Sequence, residues 1–370
     1  MKPRRTSHKP ADDAKVDEPM SIVAVARKAG VSVATVSRVL NDADGVRRQT
    51  VEQVRAAMTE IGYTPPQVKR GPKGGRRRQT PSGLRTGQIS ILNLGGGQGW
   101  LGLPVISAAV TGAMRAAKEQ DVRSVLDEMV DPFDISPIIR RREVDAAVLF
   151  VPGQVNEAAV TAIQQFVPVV WVMGARTHMP PVDHIAPDHV GVGQLAFEYL
   201  FAQGCKSFAY LSDTPDAHYK RLRAQGFGNA AFDAGQTVTN FLVQSDERPT
   251  QTHVGPCVSA PTLEEVVDRL VVHAPRPQGL FVPTDLLLSA VHPMLLARGV
   301  VPERDIRVIS CDNETSRLEH MHPRPVSIDL RSEEIGKSAV RQLIHRIQQP
   351  NDPLVRMQIR PMIPPRLRTV

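Results

Sequence analysis

Between Lys69 and Arg85 the chain carries seven basic residues and no acid, together with four glycines, Pro72 and Pro81. A stretch of this kind has too few apolar side chains to bury a core. It is therefore expected to be a mobile tether that leaves folded bodies on either side. The 370 residues suffice for two or three compact units. The net charge of +7 equals the charge of this tether, so the remainder of the chain is balanced. A polyanion is the natural partner of so local a positive charge.

No run approaches the roughly 18 apolar residues that span a bilayer. Met1 to Pro19 lack the apolar core of an export signal. A soluble, cytoplasmic protein without membrane partners is expected. Cys205, Cys257 and Cys311 are far apart and form no CxxC or Cys/His metal spacing, so they read as reduced thiols.

On the N-terminal side of the tether, Ser21 is a good helix cap before Ile22, Val25, Ala26 and Ala29, an apolar stripe at helical spacing. Gly30 ends that helix. Ser32 caps a second, which turns Val36, Val39 and Leu40 inward and leaves Val33, Ala34, Ser37 and Arg38 outside. A third helix is expected to begin at Thr50, with Thr50 and Gln53 as a capping box, and to bury Val51, Val54, Met58 and Ile61 before Gly62 stops it. Two short helices about a glycine turn, braced by a third, lay the second helix into the major groove of DNA. Thr35 and Ser37 offer hydroxyls to phosphates, and Arg38 offers a bidentate donor to guanine. A merely solvated or phosphate-bound Arg38 is the alternative.

The stretch Val25-Ala26-Arg27-Lys28-Ala29-Gly30-Val31-Ser32-Val33-Ala34-Thr35-Val36-Ser37-Arg38-Val39-Leu40-Asn41 resembles the headpiece of the lactose-repressor/galactose-repressor family. Val46, Thr50, Val54, Ala57, Ile61, Gly62 and Tyr63 continue the match. The resemblance implies a homodimer on double-stranded, pseudo-palindromic operator DNA. It places Ser32, Val33, Ala34, Thr35, Ser37, Arg38, Asn41 and Thr50 at the DNA, with Val33, Ala34 and Arg38 choosing the sequence. In that family a hinge helix follows and inserts a leucine into the minor groove. Here Pro72 stands at the leucine position, and Pro65, Pro66 and Gly71 oppose a helix. The expectation is that Arg70, Arg76, Arg77 and Arg78 run along or in the minor groove instead; a plain tether is the alternative.

Beyond Thr86, short β-rich runs alternate with helical stretches: Ile89 to Leu94, Val122 to Leu126, Val144 to Val151, Val167 to Val172, Ser207 to Leu211, Val238 to Val243, Gly279 to Val282 and Ile306 to Ser310. Unbroken apolar runs such as Ala146 to Val151 belong to parallel strands covered on both faces. Two βαβ lobes accommodate them. The body is similar to the family's sensor core along nearly its whole length, through Val144 to Val148, Val167 to Val170, Asp188, Arg223 to Phe227, Thr284-Asp285 and Ile306 to Asp312.

The expected architecture is thus a small all-α helix-turn-helix headpiece plus an α/β two-lobed, periplasmic-binding-protein-like (type I) sensor domain. The expected divisions are an extension 1–20, the headpiece 21–68, the linker 69–86 and the effector-binding domain 87–370. Its first lobe takes about 87–186 plus 314–347 and its second about 187–313 plus 348–370. The resemblance makes Arg223 and Asp285 effector contacts, a guanidinium and a carboxylate able to clamp hydroxyls of a sugar or related polar metabolite. Trp100, Pro104, Asp188 and Tyr219 complete the expected effector site.

Two other readings stay open. Gly97-x-Gly99-x-x-Gly102 is formally a dinucleotide-binding loop, although Asp127 follows later than the roughly 20 residues such a fold uses. Alternatively, the sensor has lost its ligand. No triad, paired-carboxylate, zinc or phosphate-loop motif is present, so neither catalysis nor a cofactor is expected. If the linker arginines meet phosphates, replacing Arg76, Arg77 and Arg78 by Ala flattens the dependence of operator affinity on salt, by about 0.9 per phosphate lost. An unchanged slope makes the linker a spacer.

Overall fold

The computed structural model describes residues 21–40, 46–63, 83–95, 99–131, 133–151, 157–174, 180–243 and 260–365. The N-terminal extension, Asn41, Arg70, Pro72, Arg76, Arg77, Arg78, Gly97 and Cys257 lie outside the described residues. Two compact units divide the chain, Met1–Arg77 and Arg78–Val370.

The described residues of the first unit form three helices, α1 (Ile22–Lys28), α2 (Val33–Leu40) and α3 (Arg48–Glu60). Ser21 caps α1 by accepting from the Ala24 amide at 3.3 Å, and Ser32 Oγ accepts from the Thr35 amide at 3.1 Å at the start of α2. Gly30 and Gly62 take left-handed backbone, with φ of 64° and 66°. Each closes a Schellman end, in which Val31 and Tyr63 donate back to the carbonyls of Ala26 and Met58. The third helix begins two residues before the expected Thr50. Arg47 holds the cap position without a side-chain bond, and the Thr50 amide donates to the Arg47 carbonyl at 2.9 Å. Backbone alone closes this turn, so there is no capping box for Thr50 to form. Val25, Ala26, Val36, Val39, Val54 and Ala57 are the shared core.

In the second unit the chain first lays down β1 (Gln88–Leu94), a 3₁₀ turn (Trp100–Gly102), α4 (Pro104–Glu119), β2 (Arg123–Met129), α5 (Pro137–Arg140), β3 (Ala146–Phe150), α6 (Glu157–Gln164), β4 (Val169–Val172) and β5 (Asp183–Pro187). It then crosses to a second sheet through α7 (His189–Ala202), β6 (Phe208–Ser212), α8 (His218–Asp233), β7 (Val238–Leu242) and α9 (Ala260–Val272). There follow β8 (Gly279–Phe281), α10 (Asp285–Ala297), β9 (Arg307–Cys311), α11 (Thr315–Leu318) and β10 (Val326–Ile328). It returns through α12 (Ser332–Gln348) and β11 (Arg356–Ile359).

The sheets are ordered β11-β5-β4-β3-β1-β2 and β10-β9-β8-β6-β7, and every pairing is parallel. Alternate residues of a strand feed opposite faces. Ile89 and Ile91 pack under α4 and α12, whereas Leu92 and Leu94 pack with Ile139, Val160 and Ile163. The expected split of the C-terminal segments between lobes is corrected here. β10 pairs with β9 in the second sheet, so 314–331 stays with the second lobe. β11 pairs with β5 in the first sheet, so the segment through 359 completes the first. The return is fastened by Arg346, whose Nε and NH2 donate to both oxygens of buried Asp183 at 2.8 and 2.9 Å. The same guanidinium also bonds the carbonyls of Pro350, Asp352 and Pro353.

Each lobe brings two helices together at glycines. A Cβ on Gly336 of α12 would stand 1.8 Å from the Ala109 carbonyl oxygen of α4, and one on Gly112 would stand 2.0 Å from the Glu333 oxygen. In the second lobe, a Cβ on Gly193 of α7 would meet the Arg223 carbonyl oxygen at 2.0 Å, and one on Gly226 of α8 the Val190 oxygen at 2.0 Å. Helix backbones so close have no room for a methyl group. Gly228, two residues on and so nearly on the opposite face of α8, has open space. Accordingly, Gly226→Ala is expected to cost about 1–3 kcal/mol or more by overpacking. Gly228→Ala should stabilise by up to about 1 kcal/mol through helix propensity. Denaturant melts of the two variants would reveal opposite shifts; equal shifts would refute the close contact.

Candidate functional site

In the first unit, α2 turns Val36 and Val39 into the core and presents Val33, Ala34 and Arg38 as exposed residues. Val33 is 41 % exposed, a high value for an apolar residue in so small a unit. The Ser32 and Thr35 hydroxyls lie 2.9 Å apart and bond each other, which fixes the N-terminal turn of α2. Ser37 and Thr50 are half-buried at the edge of the same unit. This face joins small side chains, which permit close approach, to one long guanidinium, the composition a groove reader uses. Lys28 and Glu60 pair at 2.5 Å and tie α1 to α3.

In the second unit, polar groups gather where the strands of the second sheet end. Asp213, Asp312 and Asp329 immediately follow β6, β9 and β10, and Asp285 opens α10 after β8. The carboxyl ends of parallel strands form the crevice where open α/β sheets bind ligands. Arg223, on α8, is buried to 2 % exposure. Its NH2 donates to Asp312 Oδ1 at 3.0 Å, its Nε to His189 Nδ1 at 3.4 Å and its NH1 to the Pro283 carbonyl. The Tyr219 ring lies 5.3 Å from the guanidinium carbon and 5.8 Å from the His189 ring. One residue along α8, buried Lys220 bonds Asp213 and, at 2.6 Å, the Thr214 hydroxyl. Tyr210 donates to the Lys220 carbonyl at 3.0 Å.

Burial governs the protonation states. It drives His189 far below the ordinary histidine range, helped by the neighbouring Arg223 charge, so this imidazole is neutral and can accept from the guanidinium. It lowers Lys220, an effect Asp213 opposes. It raises the Tyr219 phenol. It also pushes the Asp285 carboxyl up to about 7, with the Asp312 charge adding to the effect.

Arg223 and Asp285, expected to clamp an effector between them, both bond protein groups in this structure. Both Asp285 oxygens are spent inside the lobe, accepting from the Ser310 hydroxyl, the Glu314 amide at 2.7 Å and the Ser327 hydroxyl at 2.9 Å. Asp285 therefore knots the ends of β8, β9 and β10, and Asp312 faces the arginine. Asp312 has a φ of 108°, a strained backbone of the kind that clusters at binding sites. Sequence reasoning passed over Asp312, although a carboxylate directly after an apolar parallel strand was the available signal. Nothing in the sequence distinguished Lys220 and Asp213.

Of the other expected effector residues, Tyr219 lies beside Arg223, and Asp188, Pro104 and Trp100 have local structural roles. Asp188 caps α7, accepting from the Gly191 amide at 2.8 Å. Pro104 is the first residue of α4, and its neighbour Val105 packs against the core of the second lobe. Trp100 is only 8 % exposed and lies in the first-lobe core with its ring 5.5 Å from Phe150, the position of a packing tryptophan. Gly102 has open space where a Cβ would be, so it does not provide the close helix–strand approach of a dinucleotide loop's third glycine. Among the described residues no group of His, Cys, Asp and Glu could hold a metal ion.

Comparison with known proteins matches this organisation. Residues 21–66 match the profile of bacterial regulatory proteins of the lacI family. Residues 104–254 match that of periplasmic binding proteins and sugar-binding domains of the LacI family, and 197–367 a periplasmic-binding-protein-like domain. The HTH-type transcriptional regulator CelR of Thermobifida fusca is 26 % identical over 336 residues, covering 87 % of this chain and 90 % of CelR. The ribose operon repressor of Escherichia coli K12 is 27 % identical over 347 residues, 92 % of this chain and 96 % of the repressor. Among solved structures, a CelR–cellobiose complex aligns with a TM-score of 0.58 at 24 % identity, over 93 % of this chain and 98 % of that one. A lac repressor dimer bound to operator aligns with 0.58 at 20 %, over 93 % and 98 %. At these identities the structures establish a shared fold.

The buried pair yields a coupled prediction. Arg223→Gln or Asp312→Asn alone leaves a buried charge without its partner and should cost about 3–5 kcal/mol. The double variant removes both charges and should cost clearly less than the sum. Additive losses in denaturant melts would mean that the two are not partners.

Proposed function

Because the chain belongs to the lacI family of bacterial regulatory proteins, we propose that it is a transcription regulator, a repressor, whose hold on operator DNA is set by a small polar effector. The observation that carries this is the union in one chain of an exposed helix of groove-reading composition, Val33–Leu40, with a body that gathers Arg223, Asp312, His189 and Tyr219 in one cluster.

Two copies present two reader helices to the half-sites of a pseudo-palindromic operator, in keeping with the dimer of the lac repressor structure. Effector and DNA act on each other by linkage. An effector that binds one arrangement of the lobes more tightly shifts the population, and operator affinity changes by the same free energy. A sugar or related polyhydroxyl metabolite is the effector class that suits guanidinium, carboxylate and aromatic groups in one cluster, and the CelR structure holds cellobiose.

One observation favours a second reading, a regulator whose sensor has lost its ligand: Arg223 already donates to three protein acceptors. Thermal shift with a panel of neutral mono- and disaccharides separates the two, since a sensor gains stability with ligand concentration and a vestigial body does not. For the DNA half, selection from a random duplex pool should enrich paired half-sites, and Arg38→Ala should cost about 1–3 kcal/mol and relax the choice of base at one position per half-site. A pool without enriched repeats overturns the dimeric reader.

A further inference from the structure

We propose that the end of the first lobe where the linker joins the body is a second DNA-contacting surface, a rim of arginines that engages phosphates; this rests on the DNA-binding reading above. The first residues of the body are clamped to the N-terminal ends of β1, β2 and β3. Asp145, just before β3, accepts from the backbone amides of Arg85, Thr86 and Gly87 at 3.0, 2.9 and 2.8 Å. It also accepts from the Thr86 hydroxyl at 2.9 Å. The Arg85 guanidinium donates to the Arg142 carbonyl, and Gln88 Nε2 to the Glu143 carbonyl at 3.3 Å. On the other side the Arg123 amide donates to the Gly87 carbonyl at 2.9 Å.

These bonds collect Arg85, Arg123, Arg140, Arg141 and Arg142 around one sheet end, and all five are exposed. The acids among them are Asp121, Glu143 and Asp145. Asp145 is committed to the clamp, whose bonds outweigh burial and keep its carboxyl low. Glu143 lies 3.8 Å from Arg141. The rim is positive overall.

Its chemistry selects the partner. Val122, Ile139 and Val144, the apolar residues interspersed with the arginines, are buried. The rim therefore lacks the exposed apolar or aromatic anchors around which protein partners build affinity, and guanidinium groups suit phosphates. In sequence it continues the linker of Lys69, Arg70, Lys73, Arg76, Arg77 and Arg78. A patch too weak to bind alone acts at high effective concentration once a linked module holds the same DNA. The headpiece supplies that module.

The test uses the full-length protein with Arg140→Gln, Arg141→Gln and Arg142→Gln combined, titrated against an operator duplex and an unrelated duplex over a salt series. The slope of log affinity against log salt should fall by about 2–3 on both duplexes, at about 0.9 per phosphate contact, with the melting temperature unchanged. The charge-matched variant Arg221→Gln, Arg269→Gln, Arg324→Gln on the second lobe should keep the wild-type slope. Arg140→Glu alone provides a smaller perturbation and should also lower the slope. Slopes equal to wild type in folded rim variants overturn the proposal, and leave an acidic protein as the rim's partner. A wild-type protein that binds neither duplex refutes the DNA-binding reading itself, a separate result.

Discussion

A guanidinium buried as deeply as that of Arg223 is tolerable only with acceptors on every side, and meeting this requirement organises the second lobe. Its three acceptors come from α7, from the turn between β8 and α10, and from the end of β9. The arginine thereby fixes three segments that are far apart in sequence. It reaches them because α7 and α8 touch through glycine, with the Arg223 carbonyl against Gly193. Close helix packing and a charged crevice are parts of one arrangement.

Asp285 performs the matching task one layer below. Its carboxylate gathers hydroxyl and amide donors from β9, β10 and the turn between them, so the loops that carry Asp312 are held from beneath. The first lobe uses the same device twice at the N-terminal end of its parallel sheet, since Asp145 secures the incoming chain and Asp183 the returning one. In all three cases a carboxylate accepts several donors at once, which is how a buried acid is best satisfied.

The headpiece was largely legible in the sequence because its helices are short, amphipathic and punctuated by Ser21, Gly30, Ser32 and Gly62, each with a local physical role. The start of α3 was not, because backbone hydrogen bonds rather than the Thr50 side chain close that turn. In the body, the eight apolar runs all lie on strands of the observed sheets. The three strands without such runs are β5, which carries Asp183 and His184; β10, of three residues; and β11, an edge strand whose residues are mostly exposed. Missing the last two misassigned the C-terminal segments. Resemblance drew attention to Asp285, but choosing between two carboxylates that both follow apolar strands requires knowing which donors surround each, and those come from residues 25 to 42 positions away in Asp285's case.

The late return of β11 to the first sheet bears on how the chain is made. The β5 edge is synthesised long before residues 356–359, and the whole second lobe emerges from the ribosome in between. Until then β5 presents an open row of amides and carbonyls, the kind of edge that recruits other chains. The second lobe, whose sheet is complete by Ile328, is free to form first, and the earlier-made lobe is finished last. Chain termination near residue 350 would thus release a protein with an intact reader helix and an unfinished sheet.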